Sequence, residues 1–134
     1  AIVAVNAIGD VIDPQNGEKI AGLRSGTTLE WMKSNQTDAA VKSNTTVGVI
    51  ATNAKLTKVQ ATKVSQMAQD GLARSLRPAH TLFDGDTVFA LATGEVDADV
   101  TLVGAFAAEV MAQAILRAAR MAESAGGLPG LKAA

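Results

Sequence analysis

Cysteine and tyrosine are absent from this 134-residue chain, and histidine and tryptophan occur once each. The absence of cysteine excludes a disulfide framework, a thiolate-ligated zinc site, an iron–sulfur cluster and a thiol nucleophile within the chain. Aromatic residues make up only 3% of the sequence, so the core has to be built from alanine, valine, leucine and isoleucine. Such small side chains, together with 12 glycines, suit close packing of helices on a sheet.

The chain also lacks an excess of either charge and a long apolar run. Its 12 basic and 13 acidic side chains are scattered and give a formal net charge of -1. This balance excludes a protein that binds nucleic acid by neutralising many phosphates. No apolar run reaches the roughly 20 residues that cross a bilayer, and no signal peptide opens the chain. We therefore expect no nucleic-acid or membrane partner and a cytoplasmic location.

The first third of the chain combines a short apolar start with a long polar stretch. Residues 1–8 are apolar and partly β-branched, which predicts a buried strand, and the chain opens inside this run as a piece of a longer protein would. A turn at 13–17 and a short return strand at 19–23 follow. Residues 24–44 predict a long surface loop or mobile linker with a short helix near Leu29.

The remainder alternates strands and helices. Thr45–Thr52 is apolar on both faces, which predicts a central strand, and a second buried strand at Thr87–Thr93 is closed by Gly94. Thr57 begins a helix with a capping box and an apolar stripe that includes Val59, and Pro78 stops it. A longer helix over Asp99–Ser124 carries a stripe that includes Phe106. This order of elements predicts an α/β layered fold.

The junction between the polar stretch and the central strand is the first candidate site. A threonine hydroxyl is a weak nucleophile that needs an adjacent base. If the chain is cut between Asn44 and Thr45, the new α-amine lies beside the Thr45 hydroxyl, and its pKa near 8 makes it a usable base. On spacing alone, the alternative is an ordinary turn before a strand, because such short motifs occur often by chance.

The second candidate is the Asp84-Gly85-Asp86 sequence in front of the last strand. Two carboxylates at i and i+2 lie on one side of an extended segment and could hold an ammonium group or orient a hydroxyl. A β-turn is the alternative, because Asp-Gly is strong turn chemistry. A metal site is a weaker one, because no further carboxylate or histidine cluster is near in sequence.

Two single polar residues complete the set of candidates. His80 is the sole histidine, so a Ser-His-Asp triad would have to use it. No Gly-x-Ser-x-Gly elbow is present, and we interpret His80 as a structural residue on the approach to the aspartates. Asn6 is an amide within an apolar run, where it could donate to an oxyanion or tie down a neighbouring loop.

These residues resemble one family. The stretches Asn44–Thr52, Asp70–Arg74 and Pro78–Gly94, with Val3–Asp10 upstream, are similar to the L-aminopeptidase/D-esterase family of self-cleaving N-terminal-nucleophile hydrolases. The resemblance covers nearly the whole chain, and the Pro78–Gly94 run is its most specific part. It implies a four-layer αββα sandwich. Family chains extend further on the N-terminal side, and a site lysine or tyrosine from that region is not in this sequence.

The resemblance also assigns roles. It implies self-cleavage between Asn44 and Thr45, so that residues 1–44 end the larger α subunit and residues 45–134 form the smaller β subunit. Thr45 is then the catalytic nucleophile, Asp84 and Asp86 orient it and its amine, and Asn6 stabilises the oxyanion. No cofactor and no metal are expected. The expected partners are an amide substrate, the remaining α-subunit segment and further copies in a homo-oligomer.

The expected activity is amide hydrolysis. Within the family the residues most resemble members that hydrolyse 6-aminohexanoate (nylon) oligomers by internal cleavage. An aminopeptidase, β-aminopeptidase or D-esterase of the same family is the alternative. The non-enzymatic alternative is a small α/β domain that only scaffolds partners.

Overall fold

The computed structural model describes residues 1–34 and 44–132 of the chain. Within these ranges the chain forms six strands and three helices, in the order β1 Ile2–Ala4, β2 Asp10–Ile12, β3 Lys19–Ala21, α1 Thr28–Ser34, β4 Val47–Ala54, α2 Lys58–Ser75, β5 Leu76–Arg77, β6 Thr87–Val96 and α3 Val100–Arg120. The mixed α/β class expected from the sequence is confirmed.

The main sheet has the order β1-β4-β6 and carries the functional end of the molecule. Its middle strand, β4, is antiparallel to β1 and parallel to β6, with Val47 opposite Thr87. The expected central strand is therefore confirmed. Helices α2 and α3 pack on one face of this sheet, where Ile50 and Val88 join the core. The described residues thus form a helix layer on a sheet layer, and the four-layer sandwich remains a prediction.

A second, smaller sheet has the order β3-β2-β5. The predicted turn at residues 13–17 joins β2 to β3. In it, the Gly17 N–H donates to the Asp13 carbonyl oxygen over 2.8 Å. The expected return strand is confirmed as β3. Asp10 on β2 is buried, and its carboxylate accepts from the Thr28 N–H at 2.7 Å. This bond fixes the start of α1 against β2.

The predicted helix starts are confirmed at two positions. Thr57 and Gln60 form the capping box of α2, in which each side chain accepts from the backbone N–H of the other. Asp99 caps α3 by accepting from the Leu102 N–H at 2.8 Å. These side chains satisfy N–H groups that have no partner within the helix.

The predicted apolar stripes are wrong at two large residues, although Leu72, Met111 and Ile115 of these stripes are buried as expected. Val59 is 78% exposed on α2, and Phe106 is 61% exposed on α3. The buried face of α3 is instead made largely of small residues, namely Gly104, Ala107, Ala108, Met111, Ala112, Ile115 and Leu116. Close approach of two helices selects small side chains, and a count of large apolar residues does not detect that face.

Two predicted boundaries also change. The strand expected at residues 1–8 is shorter, because β1 ends at Ala4 and its Ile2 side chain is exposed. Gly94 lies inside β6, where its φ of 81° accompanies a register shift against β4, instead of ending the strand. The polar stretch contains helix α1, as expected near Leu29, and residues 35–43 lie outside the described ranges.

Helix α3 is long and apolar enough, by length and composition alone, to cross a membrane, and among the described residues it is the one such helix. This differs from the expectation of no spanning segment. Its buried face packs against α2 and against strands of both sheets, as the core helix of a folded domain does.

Candidate active site

Thr45 lies two residues before β4, and its backbone and side chain are both held. Its N–H donates to the Asn6 carbonyl oxygen over 2.9 Å. Its hydroxyl donates to the Asn44 carbonyl oxygen, with 2.6 Å between Oγ1 and that oxygen. The Thr45 hydroxyl therefore lies against the peptide bond that precedes it, which is the bond that self-cleavage would break.

The Asn44 peptide group is held by a backbone ladder to the segment before β6. The Asn44 N–H donates to the Phe83 carbonyl oxygen, and the Gly85 N–H donates to the Asn44 carbonyl oxygen, each over 2.8 Å. The Thr87 N–H then donates to the Thr46 carbonyl oxygen over 2.9 Å. These bonds continue the parallel β4–β6 pairing upstream, so regular sheet geometry fixes the position of the candidate cleavage site.

Asp86 replaces one rung of this ladder. In a regular parallel ladder the Thr46 N–H would donate to the Gly85 carbonyl oxygen. Here it donates to Asp86 Oδ1 over 2.8 Å, and the Thr87 hydroxyl donates to the Gly85 carbonyl oxygen instead. The Asp86 carboxylate thereby takes the place of a backbone carbonyl group as the acceptor for the N–H next to Thr45.

The second oxygen of Asp86 is buried and has no hydrogen-bond partner among the described residues. The Asp86 side chain is 4% exposed, and His80 Nδ1 lies 3.6 Å from this Oδ2, within ion-pair distance. His80 itself adopts a left-handed backbone with φ of 55°. His80 therefore lies beside Asp86.

Asp84 is engaged in a local turn. Its Oδ2 accepts from the Thr81 N–H at 2.9 Å and from the Thr81 hydroxyl at 2.7 Å. Its backbone forms the bridge to Asn44 that starts the ladder. The turn spans Thr81 to Asp84, whereas Asp84 and Gly85 themselves pair with Asn44, so the β-turn considered for Asp-Gly is wrong in its position. The two aspartates also differ in what their carboxylates contact.

Asn6 follows β1 and meets Thr45 through its backbone. The contact that the structure shows is the Asn6 carbonyl oxygen accepting from the Thr45 N–H, while the Asn6 side chain lies in an exposed position. The structure therefore brings Asn6, Asn44, Thr45 and Asp86 to one end of the main sheet, with the backbone of Asp84 beside them.

Gly85 is the site residue that reasoning from the sequence missed. The sequence predicts only a turn at this glycine, although it separates the two candidate carboxylates. A Cβ built at this position would lie 2.8 Å from Thr45 Oγ1. The signal that could have found it is the glycine itself, because a glycine between two site residues often permits a close approach.

Metal ligation is a further chemistry that two nearby carboxylates can support. Among the described residues, no three histidine, aspartate or glutamate side chains lie together as a metal site requires. The acidic side chains at the site are Asp84 and Asp86, and both accept hydrogen bonds from protein donors.

Comparison with known proteins places this sequence in a family. Residues 1–133 match the family described as Peptidase family S58. The chain belongs to this family. The S58 match covers both halves of the site, from Asn6 through Thr45 to Asp86.

Individual relatives carry two kinds of name. An uncharacterized aminopeptidase from Mycobacterium leprae is 40% identical over 96% of this chain, and one from Mycobacterium tuberculosis is 37% identical over 96%. A 6-aminohexanoate-oligomer endohydrolase from a Kocuria species is 28% identical over 90%. The chain spans less than half the length of these relatives, namely 42%, 45% and 40%.

Proposed function

We propose that this chain is the catalytic part of an amide hydrolase whose nucleophile, Thr45, is released by self-cleavage after Asn44. The observation that carries the proposal is the 2.6 Å separation between Thr45 Oγ1 and the Asn44 carbonyl oxygen. Membership of a peptidase family supports the same reaction class and weighs against a scaffold domain. The acyl group would pass from the substrate to Thr45 Oγ1 and then to water.

In the mature site the Thr45 amine acts as the base that takes the hydroxyl proton. The buried Oδ2 of Asp86 supports this role, because a buried carboxylate oxygen without a hydrogen bond is costly. An ammonium group formed at Thr45 would supply the missing donor. Asp84 orients the same region by fixing the turn, and Asn6 donates to the substrate oxyanion, as the family resemblance implies.

Cleavage would divide the protein into two associated subunits. Residues 1–44 would end the larger one, and residues 45–134 would belong to the smaller one. The two subunits would stay together for two reasons. The Thr45 nitrogen donates a hydrogen bond to the Asn6 carbonyl oxygen, and β1 of the larger subunit pairs with β4 of the smaller one. The rest of the larger subunit would supply the second half of the four-layer sandwich and the missing site lysine or tyrosine. A homo-oligomer is proposed on the resemblance alone.

The proposed substrate is an amide with a free amino terminus. Two relatives at 37–40% identity are named aminopeptidases, which favours this alternative over internal cleavage. The second candidate is a 6-aminohexanoate oligomer cut internally, which the 28% identical endohydrolases favour. Both substrates undergo the same acyl transfer to Thr45 and differ in what surrounds the scissile bond.

The test of maturation uses the full-length protein and its Thr45→Ala variant. The wild type should give two polypeptides, the smaller of which begins at Thr45 in N-terminal sequencing. Thr45→Ala should remain one chain. Thr46→Val is the matched control, because the Thr46 hydroxyl has no hydrogen-bond partner among the described residues. It should be cut normally, and full processing of purified Thr45→Ala would refute the proposal.

The substrate test compares amides that differ at the amino end. Turnover of an amino-acid anilide with a free amine should exceed turnover of its N-acetylated form by at least about tenfold. N-blocked 6-aminohexanoate oligomers are the second substrate, because they lack a free amine and can be cut only internally. If the blocked oligomers are hydrolysed efficiently and the free-amine anilide is hydrolysed slowly, the enzyme is assigned internal cleavage instead.

A further inference from the structure

Gly85 presents its backbone N–H to the candidate cleavage bond. The N–H donates to the Asn44 carbonyl oxygen over 2.8 Å. That oxygen would carry negative charge when Thr45 Oγ1 attacks. We infer that the Gly85 N–H is an oxyanion donor for self-cleavage, and that glycine is required there because any Cβ would displace the nucleophile. This inference rests on the proposed self-cleavage.

The chemistry of the step shows when the donor acts. Thr45 Oγ1 bonds to the Asn44 carbonyl carbon, and the carbonyl π-electron pair moves onto the oxygen. In this tetrahedral intermediate the Oγ1 proton moves to the Thr45 nitrogen. The electron pair on the oxygen then re-forms the carbonyl double bond as the carbon–nitrogen bond breaks, which leaves an ester between the Asn44 carbonyl group and Thr45 Oγ1. Water hydrolyses that ester to a carboxyl group on Asn44 and a free hydroxyl on Thr45.

The Asn44 oxygen is most negative in the tetrahedral intermediate. At that stage the hydrogen bond from the Thr45 hydroxyl has been lost, because its proton has moved to nitrogen. The Gly85 N–H stays in place, and its bond to a charged oxygen is stronger than its bond to the neutral carbonyl. This gain between ground state and transition state is what accelerates a reaction.

The donor is preorganised by the sheet. Gly85 N–H and Thr87 N–H are successive donors of one parallel ladder, to the carbonyl oxygens of Asn44 and Thr46. Asp86 lies between them and is itself bonded to the Thr46 N–H. The Gly85 N–H therefore needs no reorganisation when charge develops, which is the property that makes such donors effective.

The second part of the inference is that position 85 requires a residue without a Cβ. A Cβ would lie 2.8 Å from Thr45 Oγ1, inside van der Waals contact, and 3.8 Å from the Asn44 oxygen. The nearest atom is thus the nucleophile itself. An alanine at this position keeps the N–H and pushes Oγ1 away from the carbonyl group.

The experiment removes the N–H without adding a side chain. Glycolic acid is incorporated in place of Gly85 in the full-length protein, which turns one amide into an ester. The matched control is the α-hydroxy analogue of threonine at 87, which removes the next rung of the same ladder. Release of the fragment that begins at Thr45 is timed on gels, and circular dichroism checks the fold.

We expect the ester at 85 to slow self-cleavage about a hundredfold, the effect typical of losing one oxyanion donor. The ester at 87 should slow it less than tenfold. Equal rates for the two esters would overturn the donor role while leaving self-cleavage intact, provided that Thr45→Ala stays uncut. A wild type that is never cut before Thr45 would overturn the inference together with the proposed function.

The variant Gly85→Ala tests the steric part separately. It should also slow cleavage, and it should lower the melting temperature of the uncut protein. In a Thr45→Ala background the contact with Oγ1 is gone, so Gly85→Ala should then lower the melting temperature by a smaller amount. Equal losses of melting temperature in the two backgrounds, with cleavage at the wild-type rate, would overturn the steric requirement.

Discussion

The two adjacent threonines at the start of β4 have different surroundings. The Thr45 hydroxyl lies 2.6 Å from the carbonyl oxygen of the preceding residue. The Thr46 hydroxyl is buried and has no hydrogen-bond partner among the described residues, while its N–H is held by Asp86. Of the two, Thr45 has its hydroxyl against the peptide bond proposed for cleavage. The contacts thus distinguish two adjacent residues of the same type.

The contacts of the two aspartates predict unequal effects of charge removal. Asp86→Asn should slow self-cleavage and amide hydrolysis about 10- to 100-fold, because a hydrogen bond to a charged group contributes roughly 1.5–3 kcal/mol. Asp84→Asn should have a smaller effect, since an amide oxygen can still accept from Thr81. Maturation rate and kcat/KM are measured for both variants.

Asp97→Asn is the control for these two variants, because Asp97 is an exposed carboxylate paired with Lys55. It should process and hydrolyse at the wild-type rate. Near-wild-type rates for both Asp84→Asn and Asp86→Asn would instead assign the aspartates a turn role alone, since asparagine is also a good turn residue.

At the site, side-chain identity could be predicted from the sequence and backbone direction could not. Thr45, Asp84 and Asp86 carry the family resemblance by residue type. Gly85 acts through its N–H, whose direction depends on pairing with a segment some 40 residues away, as the Val47–Thr87 register shows. No pattern of residue types reports that pairing, because the register is set when the sheet forms.

Among the elements, helices α2 and α3 pack closely at Gly71. A Cβ at Gly71 would lie 2.7 Å from Met111 Cβ, 3.0 Å from the Ala112 nitrogen, and nearer still to the Ala108 carbonyl oxygen. Two of these atoms belong to the backbone of α3. The helices therefore approach each other at a distance that only glycine permits at position 71.

Gly71→Ala should destabilise the protein by about 1–3 kcal/mol, because overpacking forces the helix backbones apart. This loss has to exceed the helix-propensity gain of about 1 kcal/mol. The measurement is urea unfolding. Gly104→Ala is the comparison, because its Cβ would meet the flexible Met67 side chain and should cost less. An equal or more stable Gly71→Ala variant would contradict this packing argument.

The elements also show where sequence patterns are reliable. The capping box at Thr57 and the cap at Asp99 depend on residues within four positions, so the helix starts could be predicted. The inward face of α3 depends on what α2 presents. Phe106 fits the helical period but is exposed, whereas Gly104 meets Met67 of α2.

The ion pair between Asp13 and Arg120 joins the turn after β2 to the last turn of α3, with 2.8 Å between the charged atoms. The Gln15 N–H, which donates to Asp13, and the neighbouring Arg120 together hold the pKa of the Asp13 carboxyl below its ordinary value. A carboxyl with a lowered folded-state pKa contributes stability above its unfolded pKa, and this contribution is lost as pH falls through the folded value.

Asp13→Asn should therefore lower the free energy of unfolding at neutral pH, and the difference from wild type should vanish under acidic conditions. Urea unfolding at a series of pH values measures it. The exposed pair of Lys55 and Asp97 is the control, because Asp97→Asn should change stability little at any pH. A destabilisation by Asp13→Asn that persists unchanged in acid would exclude the ionic explanation.

At the scale of the whole molecule, the main sheet has one packed face and one open face. Ile2, Val49 and Phe89 lie opposite one another across β1, β4 and β6, on the side away from the helices. All three are exposed, and Phe89 is 57% exposed. A contiguous apolar row on one sheet face is typical of a surface that another layer covers.

The proposed four-layer sandwich supplies that cover, because its second sheet would pack on this face. In the full-length protein, Phe89→Ala should then lower the free energy of unfolding by about 3–5 kcal/mol, the usual loss for a buried phenylalanine. Val59→Ala on the outer face of α2 is the control and should change it by no more than about 0.5 kcal/mol. Both are measured by urea unfolding in the uncut Thr45→Ala background, so that cleavage does not alter the comparison. If Phe89→Ala costs as little as Val59→Ala, the open face of the sheet stays in water and no second sheet packs there.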